Sequence, residues 1–317
     1  MGEIKPPHAL NAAPAEGTDA DRRAASETAT TPATTPAVPP ARSPAKPPGS
    51  TMPFVEATAW TDQSSTPGPY GPATAPPGSD TFYADALGEL ETLGLPYLVS
   101  GTFAVNAYTG LNRPTKDMDV FCRPGDYPAI LAHFQRRGYE AAIKDERWLA
   151  KVWSGDHFFD LIFCCTVVIS PITDAWFIER HTAEIYGRVV PIIAPTELVW
   201  SKSFVQSRER YDGADVAHVI LCQHDKIDWK RLLSHMDAWW EVLLMHVLNF
   251  RFIYPSERDR IPAWLFDELL DRLRTRAELP VPQTRVCRGR LFSRTDYLID
   301  VTEWGYADIL GQGERRG

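Results

Sequence analysis

From Asp80 onward the apolar positions fall at helical spacing: Phe82, Leu87, Leu90 and Leu93 predict a helix, with Ser79 or Asp80 capping its first turn and Gly94 ending it. Pro96-Tyr-Leu-Val reads as a short buried strand that delivers the chain to Ser100-Gly101-Thr102, and a second helix over 103–108 follows directly. Residues 118–122 predict the next strand, and 124–137 an amphipathic helix closed by Gly138. Three strand-like runs, 139–143, 148–153 and 158–164, are separated by polar turns that include Ser154-Gly155-Asp156. One more strand, 189–193, precedes Pro195, which opens a helix. After about Asp212 strands give way to helices, clearest over 227–254 and 263–276. Leu243, Leu244, Met245, Val247 and Leu248 leave little polar surface on their turn, so that turn is expected to be buried.

This order predicts an α+β fold: a small mixed β-sheet with helices on one side, followed by a mainly helical C-terminal region. The divisions are a tail over 1–79, a core over 80–211 and the helical region over 212–317. The tail is set apart by composition. Sixteen of the 27 prolines precede residue 81, among Ala, Thr, Ser and Gly, and too few large apolar groups stand there to offset the entropy of ordering. A disordered, partly polyproline-like tail is expected.

No stretch reads as a secretory signal or a membrane span, which points to a cytoplasmic protein without membrane contact. Five cysteines without CxxC pairing suggest reduced thiols, and the adjacent Cys164 and Cys165 read as small apolar packing rather than a redox pair. A formal net charge of -8 excludes a protein that coats nucleic acid through a general positive field. His181, His218 and His246 read as packing or surface groups, and Trp239, Trp240 and Trp264 as core.

The chemistry is carried by carboxylates. On an extended strand alternate side chains share a face, so Asp117 and Asp119 point one way while Met118 and Val120 enter the core. Two like charges placed together favour a bound cation, and hard oxygen ligands suit Mg²⁺ or Mn²⁺, with a nucleoside triphosphate completing the site. Asp160 is a single carboxylate in the apolar run Phe158-Phe-Asp-Leu-Ile-Phe, where burial should exclude it unless a cation waits nearby. It is the third candidate metal ligand, and all three aspartates are the candidate catalytic residues. Gly101 and Thr102, after a strand and at the start of a helix, can turn backbone amides toward phosphate. Arg113 and Lys116 either grip the triphosphate or lie on a loop surface. Lys202 leaves a partly apolar helix face and either reaches a phosphate or snorkels to solvent. Lys151 stands one hairpin away from Asp160, its face undecided. Asp212 is placed as a helix N-cap with Asp215 opposing the dipole, while Arg208 and Arg210 read as surface ion-pair partners.

Taken together, Ser100-Gly-Thr-Phe-Ala-Val, Arg113-Pro-Thr-Lys-Asp-Met-Asp-Val and Asp160 resemble the polymerase-β-like nucleotidyltransferase superfamily. The closer likeness is to its minimal branch, the AbiEii-type toxins and the aminoglycoside and lincosamide nucleotidyltransferases. Lys202, Arg208, Asp212 and Asp215 look like the signature that follows the sheet in AbiEii-like members, with Tyr211 in place of its second basic residue and Ser100 in place of the first glycine of the usual pair. The resemblance covers roughly residues 80–225. It implies transfer of a nucleoside monophosphate from a triphosphate to an acceptor hydroxyl, with release of pyrophosphate. Gly101, Thr102, Arg113, Lys116 and Lys202 would hold the nucleotide. The acceptor, whether small molecule, tRNA or protein, stays open. The alternative is a catalytically inactive module that binds nucleotide or bridges partners on the same fold.

Overall fold

The alternation around the aspartates is what the sheet is built on: Met118, Val120 and Cys122 are fully buried while Asp119 between them is not. In the computed structural model, which describes residues 78–165, 170–179 and 181–310, this segment is strand β2, Met118–Cys122. The expected tail, up to residue 77, lies outside the described residues.

Helix α1 (Ser79–Leu93) buries Phe82, Tyr83, Ala86, Leu87 and Leu90, and Gly94 ends it in the left-handed region at φ 72°, donating to the carbonyls of Leu90 and Glu91. Its start differs from expectation. Gly78 takes the cap position without any side-chain bond, and Ser79 is already helical and buried. Strand β1 (Tyr97–Val99), α2 (Gly101–Thr109), β2, α3 (Tyr127–Arg136) and the meander β3 (Glu140–Asp145), β4 (Leu149–Ser154) and β5 (His157–Ile162) follow. Two short strands, β6 (Cys164–Cys165) and β7 (Ser170–Pro171), pair with each other. Strands β8 (His181–Ile185) and β9 (Arg188–Ile192) form a hairpin, and α4 (Pro195–Ser203) opens on Pro195.

Among the described residues the main sheet has seven strands in the order β3-β4-β5-β2-β1-β9-β8. It is mixed: β2 runs parallel to β5 and β1 to β9, the other neighbours being antiparallel. Strand β8 was not foreseen. Its burial alternates at a sheet edge, and its turn uses Tyr186 at φ 50° and Gly187 at φ 73°, the two positive dihedrals of a tight hairpin.

One face of the sheet, carrying Val99, Met118, Val120, Ala150, Val152, Phe159 and Leu161, shares a core with α1 and α3. The opposite face carries Leu98 and Phe121, which join the core of the helical region: α4, α5 (Gly213–Gln223), α6 (Trp229–His235), α7 (Trp240–Ile253) and α8 (Ala263–Glu278). On α7 Leu243, Leu244 and Val247 are buried, but Met245 and Leu248 are 42 and 47 % exposed, so that turn is amphipathic rather than wholly buried. The chain then crosses back through β10 (Val286–Cys287), α9 (Leu298–Thr302) and β11 (Ala307–Asp308), a small parallel ladder where no strand was expected. Cys164 and Cys165 are buried, as packing residues should be. Among the described residues no helix is long and apolar enough to cross a membrane.

Candidate active site

Strand register assembles the acidic wall. Asp119 and Asp160 are direct partners across the parallel pair β2/β5, and Lys151 is the direct partner of Asp160 across the antiparallel pair β4/β5. Partners in register share a face, so Lys151, Asp160 and Asp119 stand in a row. Asp117 lies two residues before Asp119, on a segment pinned from both sides. Tyr83 Oη donates to the Lys116 carbonyl at 3.1 Å, and Thr115 Oγ1 donates to the carbonyl and carboxylate of Asp117 at 3.0 and 3.1 Å.

The row continues into the start of α2. The Ser100 amide donates to the Asp119 carbonyl at 2.8 Å, and Gly101 follows at φ 60° directly beneath the Asp119 side chain. A methyl group at Gly101 would land on that carboxylate, so glycine is required here twice, by its dihedral and by the close approach. Ser100, Gly101, Asp117, Asp119 and Asp160 line a cavity of about 340 Å³. Asp117, Asp119 and Asp160 form its sheet wall, Lys202, Arg210 and Asp212 the helical wall, and Phe292 and Arg294 come from the C-terminal segment.

The electrostatics follow from this crowding. Burial pushes Asp119 up to about 6, with the Asp117 charge adding to the rise and Arg210 opposing it. Burial also raises Asp160, against the pull of Lys151, whose ammonium sits 2.8 Å from Oδ1 and 3.4 Å from the centre of the Phe158 ring. Burial lowers Lys202, and Asp212 opposes that drop.

Lys202 is held by a chain of alternating charges. Its ammonium lies 2.8 Å from both Asp212 and Asp215; Arg210 adds a 3.0 Å pair with Asp212, and Arg113 pairs with Asp215. Asp212 does occupy the cap position of α5, but its side chain makes no capping bond and serves the cations instead. Arg113, expected to face the nucleotide, is turned to Asp215 and to His218 Nδ1 at 3.0 Å, and it does not line the cavity. Lys116 is exposed on its loop, and Thr102, one position into α2, is likewise off the cavity wall.

Arg210, read from the sequence as an ion-pair partner, does pair with Asp212 and also stands on the cavity wall, whereas Trp148, Phe292 and Arg294 were not singled out as site residues. For Lys151 the signal was present: the Gly155-Asp156 turn sets Ser154 opposite His157, and moving three positions away from the turn on each strand sets Lys151 opposite Asp160.

Among the described residues no three His, Cys, Asp or Glu side chains stand close enough to share one metal ion. Asp160 stands beside Asp119, in register with it, and is paired with Lys151, whose ammonium is 2.8 Å from the Asp160 Oδ1. Asp117 and Asp119 still fit a hard divalent ion. Mg²⁺ typically takes one or two carboxylates and completes its shell with water and phosphate oxygens. The rise of Asp119 on account of Asp117 is the repulsion that such an ion relieves.

No family model and no curated protein matches the chain. Solved structures are similar to it at low identity. The lincosamide antibiotic adenylyltransferase LnuA, bound to lincomycin, is 13 % identical over 46 % of this chain and 98 % of its own, with a TM-score of 0.34. ANT(2'')-Ia in complex with adenylyl-2''-tobramycin is 16 % identical over 62 % of this chain and 98 % of its own, at 0.30. An antigenic nucleotidyltransferase-like protein from Paracoccidioides brasiliensis is 14 % identical over 58 % of this chain and 92 % of its own, at 0.36.

Proposed function

We propose that this chain transfers a nucleoside monophosphate from a nucleoside triphosphate to an acceptor hydroxyl and releases pyrophosphate. The observation that carries the reading is a single cavity with Asp117, Asp119 and Asp160 on one wall and Lys202 and Arg210 on the other. Carboxylates facing cations across a space of this kind suit a polyphosphate with its counter-ion between them.

Each residue then has a task. The amides at the start of α2 and the cations Lys202 and Arg210 receive the phosphate oxygens, with Asp212 and Asp215 keeping Lys202 charged despite its burial. Asp117 and Asp119 would hold Mg²⁺ or Mn²⁺. Such an ion supplies Lewis-acid stabilisation of the charge that develops on the transferring phosphoryl group. Asp160 accepts the proton of the acceptor hydroxyl. The new O–P bond forms at the α-phosphorus, the bridging α–β bond breaks, and pyrophosphate leaves against Lys202 and Arg210.

The Lys151–Asp160 pair favours a second reading, a module that binds nucleotide without transferring it, because a carboxylate oxygen held 2.8 Å from a lysine ammonium is already engaged and less free to take up the proton of an acceptor hydroxyl. Incubation with α-labelled triphosphates, Mg²⁺ or Mn²⁺ and a cell extract separates the two. Label moved to an acceptor by the wild type and not by Asp119→Asn supports transfer. Saturable binding without any transfer supports the second reading, and neither binding nor transfer removes both.

A further inference from the structure

The order of strands gives the cavity a direction. Gly101 follows β1 and lies by Asp119 on β2, Asp160 is one strand over on β5, and Trp148, just before β4, lies opposite Phe163 three positions beyond Asp160, so the helix start and Trp148 lie at opposite ends of the cavity with Asp160 between them. If the triphosphate occupies the end nearer α2, the acceptor takes the Trp148 end, where Arg294 also lines the wall.

Two features of that end call for a ligand. Trp148 has its backbone fixed, its amide donating to the Asp145 carbonyl at 3.1 Å and its carbonyl accepting from Phe163 at 3.0 Å. Its indole N–H, by contrast, is buried with no partner among the described residues. A buried donor left unpaired is unfavourable, so such a group is normally met by a partner. Arg294 is the second feature. It reaches Asp145 only at 3.4 Å, longer than the 2.7–2.9 Å typical of a charge-assisted bond. Asp145 is already gripped by two nitrogens of Arg147, at 2.9 and 2.7 Å, and that contact is the main reason its carboxyl stays well below the usual range. The guanidinium of Arg294 thus brings to the cavity a positive charge that its own neighbour only weakly holds.

We infer that Trp148 and Arg294 form the acceptor subsite, and that it takes a small hydroxyl compound carrying an anionic group. The inference rests on the nucleotidyl-transfer reading for the identity of this ligand as the acceptor. Arg294 binds the anion, the Trp148 N–H donates to one of its oxygens, and the hydroxyl lies toward Asp160. Phe292 and Ile162 supply apolar wall beside it. A cationic acceptor would meet Arg294 with repulsion.

The test uses the full chain with ¹⁵N in its tryptophan indoles, Trp148→Phe identifying the Trp148 signal. With Mg²⁺ and a non-hydrolysable triphosphate saturating the other end, glycerol 3-phosphate and lactate are titrated beside their uncharged counterparts glycerol and lactamide. Only the anions are expected to move the Trp148 indole signal saturably, and the one acting at lower concentration tells phosphate from carboxylate. Arg294→Gln should weaken that effect roughly tenfold and Arg294→Lys restore part of it. An equal shift with glycerol, lactamide or the cationic kanamycin would overturn the inference. So would an unaltered response in Arg294→Gln, no shift with either anion at millimolar concentration, or a tighter response to an RNA oligonucleotide. A wild type that binds no triphosphate removes the nucleotidyl-transfer reading, whereas the same titration without nucleotide still decides whether the anion subsite exists.

Discussion

At the scale of single residues the account turns on Asp119, which is crowded by Asp117 and set against Gly101. Asp119→Asn removes half of the proposed cation site while leaving the packing intact. Transfer is expected to fall at least about 100-fold with the thermal midpoint unchanged or slightly raised, read from initial rates and a melting curve. Gly101→Ala should do similar harm by another route, since a methyl group meets the Asp119 carboxylate at a dihedral that alanine disfavours. Nucleotide affinity, measured by calorimetry, is expected to fall with it. The aspartates were legible because strand alternation and a lone charge in an apolar run are local signals. Arg113 misled for the opposite reason. A loop arginine gives no sign of its partner, and here that partner is Asp215, 102 positions away.

Between elements, α4 and α5 are joined by a buried lysine and two aspartates. Removing the lysine alone strands two carboxylates in a poorly hydrated place. Lys202→Met is therefore expected to cost about 3–5 kcal/mol in denaturant unfolding, and replacing Asp212 and Asp215 by Asn as well should recover much of it. A second inter-element contact gives a pH dependence. His246 on α7 is 2 % exposed, its Nε2 lies 2.8 Å from the Ser203 carbonyl, and burial lowers its pKa from the ordinary value. The unfolded chain takes up a proton near pH 6.5 and the folded chain does not. Stability from this group is thus present above about pH 6.5 and lost as pH falls toward the folded value. Denaturant midpoints of the wild type should drop between pH 7 and 5, and His246→Phe should flatten that slope. The sequence pattern located α4, α5 and α7 but not the ties between them, because periodicity reports which face is buried and not what it meets. Strand β8 escaped for a related reason: its alternation is polar, and only its pairing with β9 makes it a strand.

For the whole molecule, the mixed sheet with helices was legible because most helices and strands carry their own pattern and end signals, although the run 227–254 is divided into α6 and α7 and α9 was not foreseen. The course of the C-terminal segment was not. It returns to the sheet through Arg294 with Asp145, ties to the segment between α4 and α5 through Arg208 with Asp296, and brings Phe292 to the cavity. Ligand binding should therefore protect two stretches far apart in sequence. In hydrogen exchange, Mg²⁺ and a non-hydrolysable triphosphate are expected to slow the start of α2 and residues 288–296 while leaving α8 unchanged. The most direct test of the central claim is a crystal soaked with Mn²⁺ and that triphosphate, with the metal located by its anomalous signal. Mn²⁺ is expected bonded to Asp117 and Asp119, with a polyphosphate running from it toward Lys202 and Arg210. Nucleotide bound elsewhere on the protein, or a metal that avoids both aspartates, would contradict it.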